Sequence, residues 1–315
     1  MRITHNGTDM RMYVGVTDSD WFNILRNENC DEVNFWRPGS SSFKALSENE
    51  MFLFKLHSPQ DYIVGGGFFV KYSLIPTYLA WEAFGIKNGT RSLRELNDRI
   101  NKYRLSNNMV QNNPQIGCII LTEPFYFDEE NWIPVPADWK KSIVQGKTYS
   151  TDTEIGKRLY RDVQDRLNGY SSILREEPQG IAARYAESIT KHRLGQGAFR
   201  VAVADAYQRR CAITGEKTLP VLQAAHIKPY SQEGPHQVSN GLLLKSDFHT
   251  LYDDGYITVD TDYRVNVSRR LHEDYGNGKD YYKYDGQKLL ILPENSLELP
   301  SKQFLEWHNE HVYLG

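Results

Sequence analysis

The chain has 315 residues and a formal net charge of −3, with 40% hydrophobic and 24% charged residues. This balance is typical of a soluble globular protein, and the length suggests two domains. The slight acidity does not favour a protein that wraps nucleic acid non-specifically. No apolar run approaches the ~20 residues that span a bilayer. The N-terminal residues lack the apolar segment of a secretory signal, so we expect a cytoplasmic protein with no membrane partner.

The three cysteines, Cys30, Cys118 and Cys211, are far apart in the sequence. Their odd number fits a reducing compartment and argues against a disulfide framework. Because no CxxC pair occurs, a zinc ribbon with four cysteine ligands is excluded.

Residues 1–150 are predicted to form a curled or barrel-like β-sheet with short helices. The segments 50–57, 62–74 and 116–127 are rich in aromatic and β-branched residues, which favours strands. The glycines at 65–67 interrupt the second of these segments. They predict a bulge, or close approach by another backbone or a ligand.

Residues 151–190 are predicted to be a helical linker, which includes a polar stretch with proline and glycine at 171–180. The basic segment that follows contains Arg193 and Arg200. These arginines are candidates for contacts with phosphates, although a solvated helix face is an equally good interpretation.

Residues 191–315 are predicted to contain a strand, a loop, a second strand and a short helix in the order 221–255. His226 ends the first strand, and Asn240 returns the loop to the second. His249 and Asp253 are four residues apart, so they share one face of the helix. This order of elements can direct all four side chains to one point.

The spacing His226-x13-Asn240-x8-His249 resembles that of the HNH, or ββα-metal, nuclease family. The segments "CAITG" and "LYDDGYITVD" on either side also resemble its restriction-type members, over residues 195–275. The resemblance implies a C-terminal ββα-metal domain that hydrolyses phosphodiester bonds. His226 would be the general base, since a neutral imidazole can take a proton from water near neutral pH.

The same resemblance implies a divalent cation, Mg²⁺ or Mn²⁺. His249 is the best supported ligand, and Asp253 is the expected second one, with Asp254 and Asp247 as alternatives. The chain departs from the pattern at Ala225, where many members place a ligand directly before the catalytic histidine. An alanine cannot coordinate a metal.

Each of three further polar residues allows two interpretations. The counterpart of Asn240 in related domains either orients the loop or helps to hold the metal. Lys228 is a candidate for a phosphate contact or a solvated side chain. His236 is expected to be a surface residue or to contact phosphate, rather than to act in catalysis.

The segments "VNFWRPGSSSFKAL", "IVGGGFF" and "SIVQGKTY" resemble the PUA superfamily, in particular its EVE-like branch, over residues 10–150. This resemblance implies a domain that binds a modified base flipped out of the duplex. Phe35 and Trp36 would stack on the base, Arg37 would meet a phosphate or base edge, and Gly66 would allow close approach. Packing of the two aromatic rings in the core is the alternative.

Together these features resemble modification-dependent restriction endonucleases. The expected partner is double-stranded DNA with a modified cytosine, such as 5-methylcytosine or 5-hydroxymethylcytosine, and the expected form is a homodimer. The alternatives are an HNH nuclease for repair or general anti-phage degradation, and a nucleic-acid-binding protein that no longer cuts.

Overall fold

The computed structural model describes residues 10–104, 112–173 and 194–315. The chain divides into two compact units, residues 1–191 and 192–315. Both units combine strands with helices, so the predicted α+β class is confirmed. Within the described residues, no helix is long and apolar enough to cross a membrane.

The first unit is built on a mixed sheet whose described strands lie in the order β2-β5-β4-β3-β1-β7, with β6 beside β4. Strands β1 and β3 are parallel, and the other neighbours are antiparallel. The strands are β1 (Arg11–Thr17), β2 (Glu32–Arg37), β3 (Met51–Leu56), β4 (Tyr62–Pro76), β5 (Gln115–Tyr126), β6 (Ile133–Pro134) and β7 (Gly146–Ser150).

Strand β3 is buried along its whole length because both faces of the sheet are covered. Met51 and Leu53 belong to a core cluster on one face. Phe52 and Phe54 alternate with them and contact other aromatic rings. The ring centroids of Phe52 and Phe35 are 4.6 Å apart, and those of Phe54 and Trp21 are 5.0 Å apart. Such ring pairs contribute about 0.5–1.5 kcal/mol each beyond their burial.

The glycine run in β4 packs against β5 and not against open space. A Cβ at Gly65 would lie 2.2 Å from the carbonyl oxygen of Phe125, and one at Gly66 would lie 2.6 Å from the Phe125 ring. The register of β4 on β5 shifts between Gly66 and Phe68. The predicted bulge is therefore confirmed, and the backbone that approaches is that of the neighbouring strand.

The helices described in this unit are α1 (Ser19–Asn27), α2 (Thr77–Phe84), α3 (Leu93–Arg104) and α4 (Glu154–Ile173). Helix α4 falls in the predicted linker, yet Leu159, Val163 and Leu167 pack into the same core cluster as Met51 and Leu53. Its first turn is capped by Thr153, whose hydroxyl accepts the Gly156 N–H. The rest of the predicted linker, from residue 174, lies outside the described residues.

The second unit contains two antiparallel strand pairs, β8 with β9 and β10 with β11. Its described elements are α5 (Gln196–Ala206), β8 (Leu222–His226), β9 (Gly241–Lys245), α6 (Ser246–Asp253), β10 (Ile257–Val259), β11 (Val265–Val267), α7 (Arg270–Tyr275), α8 (Lys279–Tyr282) and α9 (Lys302–His311).

The core of this unit packs α5 and α6 against the β8–β9 pair. Gly241 permits close packing of α5, since a Cβ there would lie 2.5 Å from Val203 and 3.0 Å from Phe199. Ala225 is fully buried in this core. Because side chains alternate along a strand, the neighbouring His226 points to the other face of β8.

Candidate functional site

The β8–β9 pair and α6 bring the predicted catalytic residues of the second unit together. His226 is the last residue of β8 and pairs with Gly241, the first residue of β9. On α6, Phe248 and Tyr252 are buried in the core, while His249 and Asp253 lie one position further along the helix. That offset of about 100° turns His249 and Asp253 away from the core and into a cleft that His226 also lines.

The His226 side chain is held on two sides. Its ring stacks on the Phe199 ring of α5, with 4.0 Å between centroids and an angle of 13° between planes. Its Nε2 atom lies 3.0 Å from Nδ1 of His236. Burial, and to a lesser degree the neighbouring His236, lowers the pKa of His226 to about 4. The imidazole is therefore neutral near pH 7, as a general base must be.

His249 contacts Gln223 and Asp253 through its two ring nitrogens. Nδ1 lies 2.7 Å from Oε1 of Gln223, and Nε2 lies 3.2 Å from Oδ2 of Asp253. An amide oxygen only accepts hydrogen bonds, so Nδ1 carries the proton and Nε2 of the neutral ring has a lone pair. A lone pair and a carboxylate oxygen thus face each other.

The Asn240 side chain is completely buried and ties the loop 227–240 together. Its Oδ1 accepts the N–H of Lys228, and its Nδ2 donates to the carbonyls of Lys228 and Pro235, at 2.9–3.0 Å. The side-chain amide of Asn240 is therefore bonded to the backbone of the loop through both its oxygen and its nitrogen. Of the two interpretations kept for Asn240, this geometry matches loop orientation.

The cleft between α5, β8 and α6 has a volume of about 480 Å³. Arg200 lies at its wall beside Phe199. Lys228 is outside the lining and places its Nζ 5.6 Å from the centre of the Trp307 ring. Arg193 lies outside the described residues. Of the three predicted phosphate contacts, the structure therefore brings Arg200 to the cleft.

The first unit has a cavity of its own, with a volume of about 460 Å³. Its aromatic wall is Tyr13, Trp21, Phe35, Trp36 and Tyr103. Polar groups at the same cavity include those of Asp18, Arg37, His57 and Gln145. The size and the mixed lining are typical of sites that bind small organic groups.

Three of the four predicted base-binding residues line this cavity. Phe35 and Trp36 are at most 9% exposed, and the Trp36 Nε1–H donates to the Asn88 carbonyl at 2.9 Å. Arg37 donates to the Gln145 side chain. Gly66 is not part of the lining and is packed inside the sheet. Tyr103, which is 53% exposed, is the most accessible aromatic ring of the cavity wall.

Residues 211–260 match a protein-family model described as HNH endonuclease. These residues are an HNH endonuclease domain. The match includes β8, the loop, β9 and α6, and therefore His226, Asn240 and His249. A comparison with curated proteins found no match.

Solved structures resemble the chain weakly. The ASCH protein of Zymomonas mobilis is 10% identical, with a TM-score of 0.31 over 48% of this chain and 94% of its own. A mutant of the same protein is 9% identical, with a TM-score of 0.31 over 48% of this chain and 96% of the mutant's chain. A structure described as "Modification dependent TagI restriction endonuclease" is 12% identical, with a TM-score of 0.27 over 91% of this chain and 77% of that structure's chain.

The HNH domain offers two side chains that could hold a divalent cation. Nε2 of His249 and Oδ2 of Asp253 offer two adjacent lone-pair ligands, and Gln223 holds His249 in the required tautomer. In the described ranges no cluster of three or more His, Cys, Asp or Glu side chains could hold a metal. The remaining ligands would come from phosphate and water. Asp247, an alternative ligand, instead pairs with Lys245 at 3.0 Å.

Four residues that line or support the HNH cleft were not singled out, or were assigned differently, by sequence reasoning. His236 bonds to His226 and is partly buried, which differs from the surface position expected for it. Gln223, Phe199 and Tyr230 had no motif to mark them. Gln223 lies in the predicted strand that ends at His226, but its contact with His249 depends on the tertiary fold, so no sequence pattern could have identified it.

Proposed function

We propose that the protein is a modification-dependent DNA endonuclease of the restriction type. Its HNH domain hydrolyses phosphodiester bonds, and its first unit binds a flipped modified cytosine. The observation that carries the nuclease part is the convergence of His226, His249 and Asp253 on one cleft inside the residues that match the HNH family. Base recognition rests on the aromatic cavity of the first unit.

His226 acts as the general base. Its ring is neutral at pH 7 because burial lowers its pKa to about 4. It takes a proton from the water that attacks phosphorus. The P–O bond to the leaving 3′-oxygen breaks, and that oxygen takes a proton from solvent, which gives a 5′-phosphate and a 3′-hydroxyl. The stack on Phe199 fixes the ring plane, so the base meets the water in a defined geometry.

His249 and Asp253 hold the divalent cation, Mg²⁺ or Mn²⁺. When bound, this cation stabilises the negative charge that develops on the phosphate and the leaving oxygen. Arg200 contributes a fixed positive charge at the cleft wall, where it can meet a phosphate of the bound strand. Asn240 keeps the backbone of the loop in place behind His226.

The first unit supplies specificity. A flipped base stacks on aromatic rings and is distinguished by hydrogen bonds to its edge. The cavity wall offers Tyr103 and Trp36 for stacking, with Arg37 at the same cavity for a phosphate or base edge. Since one HNH site cuts one strand, a homodimer cuts both strands of the duplex.

The test is cleavage of DNA duplexes of one sequence that carry cytosine, 5-methylcytosine or 5-hydroxymethylcytosine, with Mg²⁺ and with Mn²⁺. We expect cleavage of at least one modified duplex and little of the unmodified one. His226→Ala should lower the cleavage rate by about 10²–10⁴-fold. Equal rates on all duplexes would leave an HNH nuclease of another purpose, for repair or general anti-phage degradation. Absence of any cleavage would leave a nucleic-acid-binding protein that does not cut.

A further inference from the structure

His236 reaches the catalytic histidine from the loop between β8 and β9. Its Nδ1 atom lies 3.0 Å from Nε2 of His226, and the two rings meet edge to face, 4.9 Å apart. On its other side the His236 ring stacks on Tyr230, with 4.5 Å between centroids and 19° between planes. The preceding residue, Pro235, is held by Asn240 through its carbonyl. His236 is thus fixed by contacts on both sides.

A hydrogen bond between two neutral imidazoles has two forms. In one form, His226 donates its Nε2–H to Nδ1 of His236, and Nδ1 of His226 keeps a lone pair. In the other form, His236 donates, and the proton of His226 sits on Nδ1, where the ring cannot act as a base. Which form exists decides whether His226 is competent for catalysis.

The role of His226 as general base requires the first form. Its Nδ1 makes no hydrogen bond with any residue in the part of the chain that the structure describes. In the second form, the only lone pair of His226 is engaged by His236, so the ring has no free acceptor for a proton from water. In the first form, His236 accepts the Nε2–H, and Nδ1 keeps the lone pair of a ring that lines the same cleft as His249 and Asp253.

We propose that His236 is a positioning residue that accepts the Nε2–H of His226 and so holds the catalytic imidazole with Nδ1 unprotonated. This proposal rests on the proposed function, in which His226 is the general base. During hydrolysis Nδ1 takes one proton from the attacking water, the new O–P bond replaces the bond to the leaving oxygen, and the leaving oxygen takes a proton from solvent. The imidazolium that forms keeps its Nε2–H on His236, which spreads the positive charge, and it later loses the Nδ1 proton to solvent.

The tautomer is measured directly on the full-length protein with ¹⁵N-labelled histidine, by NMR at pH 7.5. The His226 signals are assigned by their loss in His226→Gln. We expect a protonated Nε2 and an unprotonated Nδ1 in the wild type. A protonated Nδ1 would overturn the proposal, and this result needs neither a variant of His236 nor DNA cleavage.

Kinetics test the consequence of the hydrogen bond. His236→Phe keeps a ring on Tyr230 but removes the acceptor, so kcat should fall about 10–100-fold with KM for DNA nearly unchanged. His236→Asn places an oxygen near the lost Nδ1 and should recover part of kcat. His272→Phe, at an exposed histidine of α7, is the matched control and should cut like wild type.

The two proposals fail in different ways. An unchanged kcat in His236→Phe overturns the positioning role while wild-type cleavage still supports the proposed function. Absence of cleavage by the wild type defeats the proposed function, and the NMR tautomer then still tests the hydrogen bond. If His236→Phe does not fold, His236→Asn and the wild-type tautomer decide.

Discussion

The Nδ1 atom of His249 lies 2.7 Å from Oε1 of Gln223, and the two residues are 26 positions apart in the chain. Gln223 belongs to β8 and His249 to α6, so this contact joins the strand that ends at His226 to the helix that carries the proposed metal ligands. It also sets the tautomer of His249, because the amide oxygen requires a proton on Nδ1. The lone pair on Nε2 then faces Asp253.

The first prediction concerns this supporting contact. Gln223→Leu removes the acceptor at nearly constant size, and we expect a loss of about 10–100-fold in metal affinity or cleavage rate. Gln223→Glu retains an acceptor for Nδ1 and should be less impaired. Cleavage rates over a Mn²⁺ titration measure both effects, with Gln303→Leu, at an exposed residue of α9, as the control. Equal titrations for Gln223→Leu and wild type would contradict the role.

Asp253 is predicted to be the second protein ligand. Its Oδ2 lies 3.2 Å from Nε2 of His249, and its side chain is 57% exposed. Asp253→Asn keeps the shape but loses the charge, so Mn²⁺ affinity should fall by at least about 10-fold. Isothermal titration with Mn²⁺ measures this, and Asp262→Asn, at an exposed residue that does not line the cleft, is the control. An unchanged affinity in Asp253→Asn would remove it from the site.

Asn240 is predicted to act through the loop. Asn240→Ala would leave the backbone groups of Lys228 and Pro235 without their buried partner, and we expect a loss of about 2–4 kcal/mol in the free energy of unfolding of the HNH domain. Urea unfolding followed by tryptophan fluorescence measures the loss. Asn277→Ala, at an exposed position, should change stability little. A stable Asn240→Ala protein that lacks only metal binding would favour a ligand role instead.

The HNH domain should lose stability in mild acid. His308 is buried: its Nε2–H donates to the Tyr252 carbonyl at 3.1 Å, and its Nδ1 accepts from the Thr258 hydroxyl at 2.8 Å. Burial lowers its pKa to about 4 in the folded protein. An unfolded chain has a histidine pKa of about 6.5.

Between these two pKa values the unfolded chain binds a proton and the folded chain does not, so stability falls as pH decreases from about 6.5 to about 4. For His308 alone, a change from pH 7.5 to pH 5.0 should cost about 2 kcal/mol. His226 adds to this loss in the same direction. In His308→Gln the loss between the two pH values should be smaller, whereas the exposed His311→Gln should behave as wild type. Identical pH dependence in His308→Gln would contradict this assignment.

The sequence specifies the local parts of the HNH site because their spacing is local. The separation of four residues between His249 and Asp253 places them on one helix face, and the apolar segment at 241–244 forms β9 as predicted. The significance of Ala225 also follows from strand alternation, since a residue next to His226 must face the core.

Contacts between distant segments could not be predicted in the same way. His236 meets His226 because the loop folds back under the control of Asn240, and no periodicity encodes that path. In the first unit, the parallel pairing of β1 with β3 joins segments separated by a helix and another strand. Gly66 illustrates the same limit. A glycine at this position allows close approach of either a ligand or a strand, and only the order of strands in the sheet shows that neighbouring strands approach it.

The last prediction tests the aromatic cavity of the first unit. Tyr103 is 53% exposed at the cavity wall, with its ring 6.2 Å from that of Trp36. Stacking of a base on an aromatic ring contributes about 1–3 kcal/mol, so Tyr103→Ala should weaken binding of modified DNA by roughly 5–150-fold. Tyr103→Phe keeps the ring and should bind nearly as well as wild type. Fluorescence anisotropy with a catalytically impaired His226→Ala background measures binding without cleavage.

Tyr62→Ala removes a tyrosine that is 40% exposed and does not line the cavity, so it controls for loss of surface aromatic area. Equal affinities of Tyr103→Ala and Tyr62→Ala for the modified duplex would show that the cavity does not hold the base.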